Sequence, residues 1–195
     1  MDKKVFQNEA LRLKALYEYK VLDTSPEQAF DDLVLLTKQV AGTPIALINF
    51  VDANRQWFKA TVGLSASEMP RNIGFCSLCV TLGESLIIPD TLADERFATN
   101  PVVISEPYVR FYAGIPLVTP QGQVVGTLCA IDMVSRSINC EQIKSLEAIS
   151  RLVIKQLEIQ TTLNKLIDIK QEYEQAKIAL DESESIIKSF LIAHR

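Results

Sequence analysis

Apolar residues recur at helical spacing in two stretches near the start of the chain and again through its last third. Between them they fall in short blocks separated by turn formers. The first stretch, residues 8–20, carries Leu11, Leu13, Leu16 and Tyr17 on a partly amphipathic face and predicts a helix that stops at Val21-Leu22-Asp23-Thr24. A second helix has a clear start. Ser25 can cap it, Pro26 suits the first helical position, and Gln28 stands three residues after the cap, as in a capping box. Ala29, Leu33, Leu36 and Val40 then form one stripe expected to be buried, and Gly42 is placed to end the helix.

The middle of the chain changes period. Residues 44–51 (PIALINFV) read as a strand, Asp52-Ala53-Asn54-Arg55 as a turn and residues 56–62 as the partner strand of a hairpin. Residues 63–82 are irregular. A short strand at 85–88 precedes a polar loop at 90–100. Residues 111–118 (FYAGIPLV) and 123–131 (QVVGTLCAI) form a second hairpin through Pro120-Gln121-Gly122. The fold class expected is α+β, a central antiparallel sheet flanked by helices.

From Glu141 onward the pattern is helical, with no proline or glycine after Gly126. Leu152, Ile159, Leu166, Tyr173, Leu180 and Ile187 recur every seven residues, so one seam position stays apolar through six heptads. The companion position is mixed. One choice gives Ile149, Gln156, Leu163, Lys170, Lys177 and Glu184; the other includes Ile169, Ala176 and Phe190. This predicts a long C-terminal helix in a coiled coil of modest stability; the alternative is a terminal helix folded back on its own domain. The expected organisation is an N-terminal helix of a dimer bundle (1–24), a globular domain (25–155) and a coiled-coil linker (156–195).

Composition narrows the function. The 195 residues are 48% hydrophobic and 23% charged, enough apolar side chain for a buried core and too much for disorder. A net charge of −4 argues against nucleic acid as a partner. The start, MDKKVFQNEALRLK, has no apolar segment of the secretory type. The longest apolar stretch, Val40 to Val51, is too short and interrupted to span a bilayer. A cytoplasmic location is therefore expected, with the four cysteines as thiols rather than disulfides.

Leu11 to Glu27 (LRLKALYEYKVLDTSPE), Asp52 to Gly63 (DANRQWFKATVG), Asp90 to Pro101 (DTLADERFATNP), Arg110 to Leu117 (RFYAGIPL) and Gly126 to Asp132 (GTLCAID) together resemble the GAF domains of bacterial, especially cyanobacterial, signalling proteins. The resemblance covers roughly residues 9 to 155. It implies a sheet with a ligand-sized pocket on one face and helices on the other that join a dimer bundle. It also implies an output domain such as a histidine kinase, cyclase or PAS module. Ser183 to Phe190 looks like a lead-in to a PAS domain. Where the family usually has Phe-Cys-x-His, this chain reads Phe75-Cys76-Ser77-Leu78-Cys79.

The candidate ligand-binding residues are Trp57, Phe75, Cys76, Cys79, Asp90, Asp94, Arg110 and Tyr112. Trp57, Phe75, Phe97, Phe111 and Tyr112 are the aromatics a pocket could use, or simple core. Cys76 and Cys79 form a C-x-x-C that could bind metal or exchange electrons; the bland reading is two buried packing residues. Cys129 reads as core, and neither it nor Cys140 has metal-site spacing with the pair. Asp90, Asp94, Glu95 and Arg96 could contact a ligand or join Asp132 in a carboxylate cluster. The alternative is that Asp94 and Arg96 brace the loop while Phe97 anchors it. Arg110 is the cation for an anionic ligand.

His194, the only histidine, reads as a tail residue, which leaves the globular part without a haem ligand or a histidine base. Bilin-binding relatives commonly place a histidine beside the attachment cysteine, and none stands here. No glycine-rich phosphate loop or cyclic-nucleotide signature is present, and no cofactor is named. The function expected is a non-catalytic regulatory module sensing a small ligand or redox state. One alternative is a cysteine-dependent GAF enzyme of the free methionine sulfoxide reductase type; another is a structural dimerisation unit with an empty pocket.

Overall fold

A computed structural model of the chain describes residues 8–193, with side chains as far as Ser183. His194 lies outside the described residues, as do the side chains of Glu184, Ile187 and Phe190. The elements run α1 (Glu9–Glu18), α2 (Gln28–Ala41), β1 (Ile45–Val51), β2 (Arg55–Val62), β3 (Glu68–Pro70), α3 (Cys76–Leu82), β4 (Leu86–Ile88), α4 (Pro101–Ile104), β5 (Phe111–Val118), β6 (Val124–Asp132) and α5 (Cys140–Ala193). The six strands form one sheet in the order β3-β2-β1-β6-β5-β4, every neighbouring pair antiparallel. The described residues as far as Leu157 form one compact unit and those from Glu158 a second.

Several helix ends have a local cause. The Asn8 side chain accepts from the Ala10 and Leu11 amides and starts α1. Gly42, at φ 68°, ends α2 in the left-handed conformation that a side chain would resist. Asn139 and Gln142 cap α5 reciprocally, each side chain accepting from the other's backbone N–H at 2.8 and 3.1 Å.

The start of α2 corrects the sequence reading. Its N-cap is Glu27, without a capping side-chain bond, and Ser25 does not cap. Ser25 O, Thr24 Oγ1 and the Glu27 carboxylate instead receive the ammonium of Lys59, whose side chain is fully buried. Between Ile48 and Asn49 the β1–β2 register skips, which leaves Lys59 as the extra residue of a bulge on β2. The stripe also shifts by one: Phe30, Val34, Thr37 and Ala41 are buried, whereas Leu36 is half-exposed.

The sheet separates two apolar cores. On one face, Ile48, Phe50, Trp57, Phe111, Ile115 and Leu128 pack against Leu16 of α1, Phe30 and Val34 of α2, and Leu146, Val153 and Leu157 of α5. On the other, Leu47, Val51, Phe58, Tyr112 and Cys129 meet Phe75, Cys76, Cys79 and Val80 of α3 and Val103 of α4. Ile149, read as a seam residue, is buried in the first core. Leu152 of the first unit is exposed. So are Ile159, Leu163, Leu166, Tyr173 and Leu180 of the second, all more than half open to solvent.

Candidate functional site

The second face of the sheet borders a partly open apolar cavity of about 190 Å³. Ile45 and Leu47 of β1, Phe58 of β2, Tyr112 of β5 and Cys76 of α3 line it, with Val109 from the loop before β5. No charged side chain lines the cavity, and exposed Ala66 stands on its rim. Period-two alternation brings these strand residues to one face. Phe75 holds the wall by stacking on Tyr112 and tilting against Phe97, each with ring centroids 4.8 Å apart.

Beneath the cavity lies a buried sulfur and hydroxyl cluster. Cys76 Sγ and Cys129 Sγ are 3.4 Å apart. Tyr112 Oη donates to Cys76 Sγ at 3.3 Å and lies 3.5 Å from Cys129 Sγ, and Thr127 Oγ1 is 3.0 Å from Cys129 Sγ. Asn49 and Gln56 continue this polar strip, the Asn49 amide donating to Gln56 Oε1 at 3.2 Å. Asn49 Oδ1 is buried without a hydrogen-bond partner. Gly114 makes room for the phenol, since a Cβ there would stand 2.2 Å from Tyr112 Oη.

The environment separates the three buried thiols. Burial pushes all of them upward. At Cys76 this is outweighed by hydrogen bonds from Cys129, Thr127, Tyr112 and Asn49, which favour the thiolate and bring its pKa to about 7. Burial and the neighbouring Cys76 push Cys129 well up. Cys79 is pushed far up by burial and by charge on Cys76. Its sulfur turns away, donating to Glu84 O and Gly114 O at 3.3 and 3.5 Å.

The sequence-predicted residues therefore divide. Phe75, Cys76 and Tyr112 line the cavity; Cys79 is buried in the same core but turned aside. Trp57 does not reach the cavity. It packs with Phe50 on the opposite face, because alternation along β2 sends Phe58 to the cavity instead. Phe111 is likewise on the helix-covered face.

Asp90 and Arg110 form a two-bond ion pair of 2.9 and 3.0 Å outside the cavity lining, and the guanidinium holds the Asp90 carboxyl below its usual range. Asp94 braces its loop through Arg96, whose guanidinium and backbone N–H both donate to it, while Phe97 is buried. Asp132 joins no carboxylate cluster. It pairs with Arg136 and accepts from the amides of Met133 and Val134. The cavity lining thus holds neither Asp90, Asp94 nor Arg110. Among the described residues no group of three or more His, Cys, Asp or Glu side chains is placed to hold a metal ion. Sequence reasoning missed Phe58 and the aliphatic lining, Ile45, Leu47 and Val109 among it, together with the Asn49–Gln56 and Thr127 part of the cluster, and left Cys129 as core.

Residues 25–157 match the family model for the GAF domain. The chain belongs to the GAF domain family. A relative, a cyclic di-GMP phosphodiesterase of Pseudomonas aeruginosa, is 34% identical over 165 residues, which are 84% of this chain and 28% of that protein. The chain thus spans little more than a quarter of that relative's length.

Solved structures share the GAF fold at lower identity. Free methionine-R-sulfoxide reductase of Neisseria meningitidis, in complex with its substrate, gives a TM-score of 0.57 at 16% identity, over 84% of this chain and 95% of that one. The GAF domain of an Acinetobacter phosphoenolpyruvate-protein phosphotransferase gives 0.54 at 18% identity, over 86% and 98%. In this GAF domain the position of the usual histidine is held by Leu78, a partly buried side chain packed on the cavity-side core.

Proposed function

We propose that this GAF domain is a non-catalytic sensory and regulatory module of a bacterial signalling protein. A small uncharged ligand, or a change of redox state, acts at the apolar cavity. The resulting shift in packing biases a dimeric helical bundle, and α5 passes it as a coiled coil to an output domain. Such outputs include a histidine kinase, cyclase or PAS module, and the name of the Pseudomonas relative adds a cyclic di-GMP phosphodiesterase.

The observation that carries this reading is a recessed apolar site in a chain that also bears exposed apolar helix faces. Leu11, Leu35, Leu36 and Leu152 of the first unit are about half exposed, and the second unit exposes Ile159, Leu166, Tyr173 and Leu180 at heptad spacing. A second copy using α1, α2 and α5 would remove these faces from water. Among the described residues no helix is long and apolar enough to cross a membrane, which fits a module working in the cytoplasm.

The reductase reading has weaker support. Methionine sulfoxide is a zwitterion, and the cavity lining offers it no charged side chain.

The test occupies the cavity with benzene, which suits an apolar void, and follows amide hydrogen exchange. Slower exchange around Val109 and Tyr112 would register binding. The proposal then expects altered exchange in residues 158–183; bound benzene with no change there contradicts it.

A further inference from the structure

We propose that Cys76 and Cys129 are a thiol–disulfide couple, oxidised by a small alkyl hydroperoxide that enters the apolar cavity and meets Cys76 first. The inference rests on the sensory reading only in taking the cavity as the point of entry.

Three independent features place it on this pair rather than on the C-x-x-C of the sequence. Cys76 lines the cavity, whereas Cys129 stands fully buried behind it, 3.4 Å from the Cys76 sulfur. Forming the bond, about 2.05 Å long, therefore needs only a small closure of the two sulfurs. Cys79, two residues beyond Ser77, directs its sulfur at two backbone carbonyls. The cavity wall, apolar and uncharged, admits an alkyl hydroperoxide and disfavours a charged oxidant. Finally, the cluster holds polar groups that suit a reacting sulfur. Tyr112 donates to Cys76, and Asn49 Oδ1 is a buried acceptor without a partner. A sulfenic hydroxyl on Cys76 would supply the donor that oxygen lacks.

The chemistry balances with the peroxide as sole oxidant. The Cys76 sulfur attacks the terminal peroxide oxygen and the O–O bond breaks. The alkoxide leaves with the Cys76 proton as an alcohol, and Cys76 becomes a sulfenic acid. The Cys129 sulfur then attacks the Cys76 sulfur; the S–O bond breaks, and hydroxide leaves with the Cys129 proton as water. Two thiols have lost two electrons and two protons to one peroxide, which becomes one alcohol and one water. The lowered pKa of Cys76 and the raised pKa of Cys129 fit this division into attacking and resolving thiol.

The reduced 195-residue chain is exposed to stoichiometric tert-butyl hydroperoxide, alkylated, digested and mapped by mass spectrometry. The expected result is a Cys76–Cys129 link, a loss of two of the four thiols, and Cys79 and Cys140 alkylated as before. Cys79→Ser is expected to leave the link unchanged. Cys129→Ser, or Cys129→Ala if the serine disturbs folding, is expected to stall at a sulfenic acid that dimedone captures on Cys76. Benzene in the cavity is expected to slow the link.

A Cys76–Cys79 link, four unchanged thiols, or sulfinic acid on Cys76 with Cys129 still free would overturn the proposal; an unaltered rate with benzene bound would overturn the route through the cavity. The readout is covalent. A missing disulfide leaves the exchange response of residues 158–183 to be judged separately, and a missing exchange response leaves the disulfide standing.

Discussion

The two faces of the sheet are both buried, yet they are built differently. The helix-covered face is buried under long helices: Phe50, Phe111, Ile115 and Leu128, all under 3% exposed, pack with side chains of α1, α2 and α5. The other face is covered by short elements, α3 of seven residues and α4 of four, which leave a void of about 190 Å³. One face supplies cohesion through dense packing. The other gives up some of that packing and holds instead a cavity, three thiols and a strip of buried polar side chains. A site that must admit a molecule and respond to it belongs on the second face, and the mutational response of the two should differ accordingly.

The largest expected effect tests this directly. Phe50→Ala removes a fully buried ring stacked on Trp57, and should cost about 4 kcal/mol in denaturant unfolding. Phe58→Ala should cost about 2 kcal/mol, because one side of that ring borders the void and has fewer dispersion contacts to lose. Equal losses would remove the distinction between the faces.

Next in size is the buried ion pair on the helix-covered face. Glu27→Ala leaves the Lys59 ammonium with only Thr24 Oγ1 and Ser25 O as oxygen partners, and should cost about 2 kcal/mol, the carboxylate being partly exposed. Replacing both partners by apolar residues should recover much of the loss, which a double-mutant cycle would read.

The sequence showed where elements would form and much less about which side chains would meet. The four long strands, α2 and α5 were legible because each carries several repeats of its period. β3, α3 and α4 have three, seven and four residues and too few repeats to read. For Trp57 the sequence left pocket and core open, and the core alternative holds, because which face a strand residue takes depends on a register set by pairing distant in sequence. Lys59 and Ser25 were opaque for the same reason: a bulge brings the ammonium to the α2 start, 34 residues away in sequence. Cys129 looked like ordinary core, since its meeting with Cys76 spans 53 positions and depends on α3 crossing the sheet. Asp94, Arg96 and Phe97 followed the bracing alternative, because capping and ion pairing are local.

Reactivity should separate the faces further. Alkylation of Cys76 by iodoacetamide should rise with pH to a half-maximal rate near pH 7, with its pKa of about 7, while Cys79, pushed far up by burial, stays slow throughout. A midpoint for Cys76 in the ordinary thiol range would remove the hydrogen-bond stabilisation of its thiolate.

The smallest effect lies at the surface of the first unit. Glu9, bound by Arg12 and Arg71, has its pKa lowered to about 2 from 4.5, chiefly by the Arg12 hydrogen bonds. A depressed carboxyl pKa contributes stability above the unfolded value, lost as pH falls from about 4.5 toward about 2. Glu9 is about half exposed whereas its partner Arg12 is almost fully buried, so Glu9→Gln, which keeps an acceptor for the guanidinium, should cost about 1 kcal/mol at neutral pH and flatten that part of the acid limb.

The central claim is that the helical side of this GAF domain joins two copies while the opposite face receives the signal. Sedimentation equilibrium of the reduced 195-residue chain at micromolar concentration tests it most directly, alone and with Leu166→Lys and Tyr173→Lys combined. The account predicts a dimer for the unaltered chain, and a monomer for the double variant with the same Cys76 alkylation profile. An unaltered chain that sediments as a monomer would contradict it.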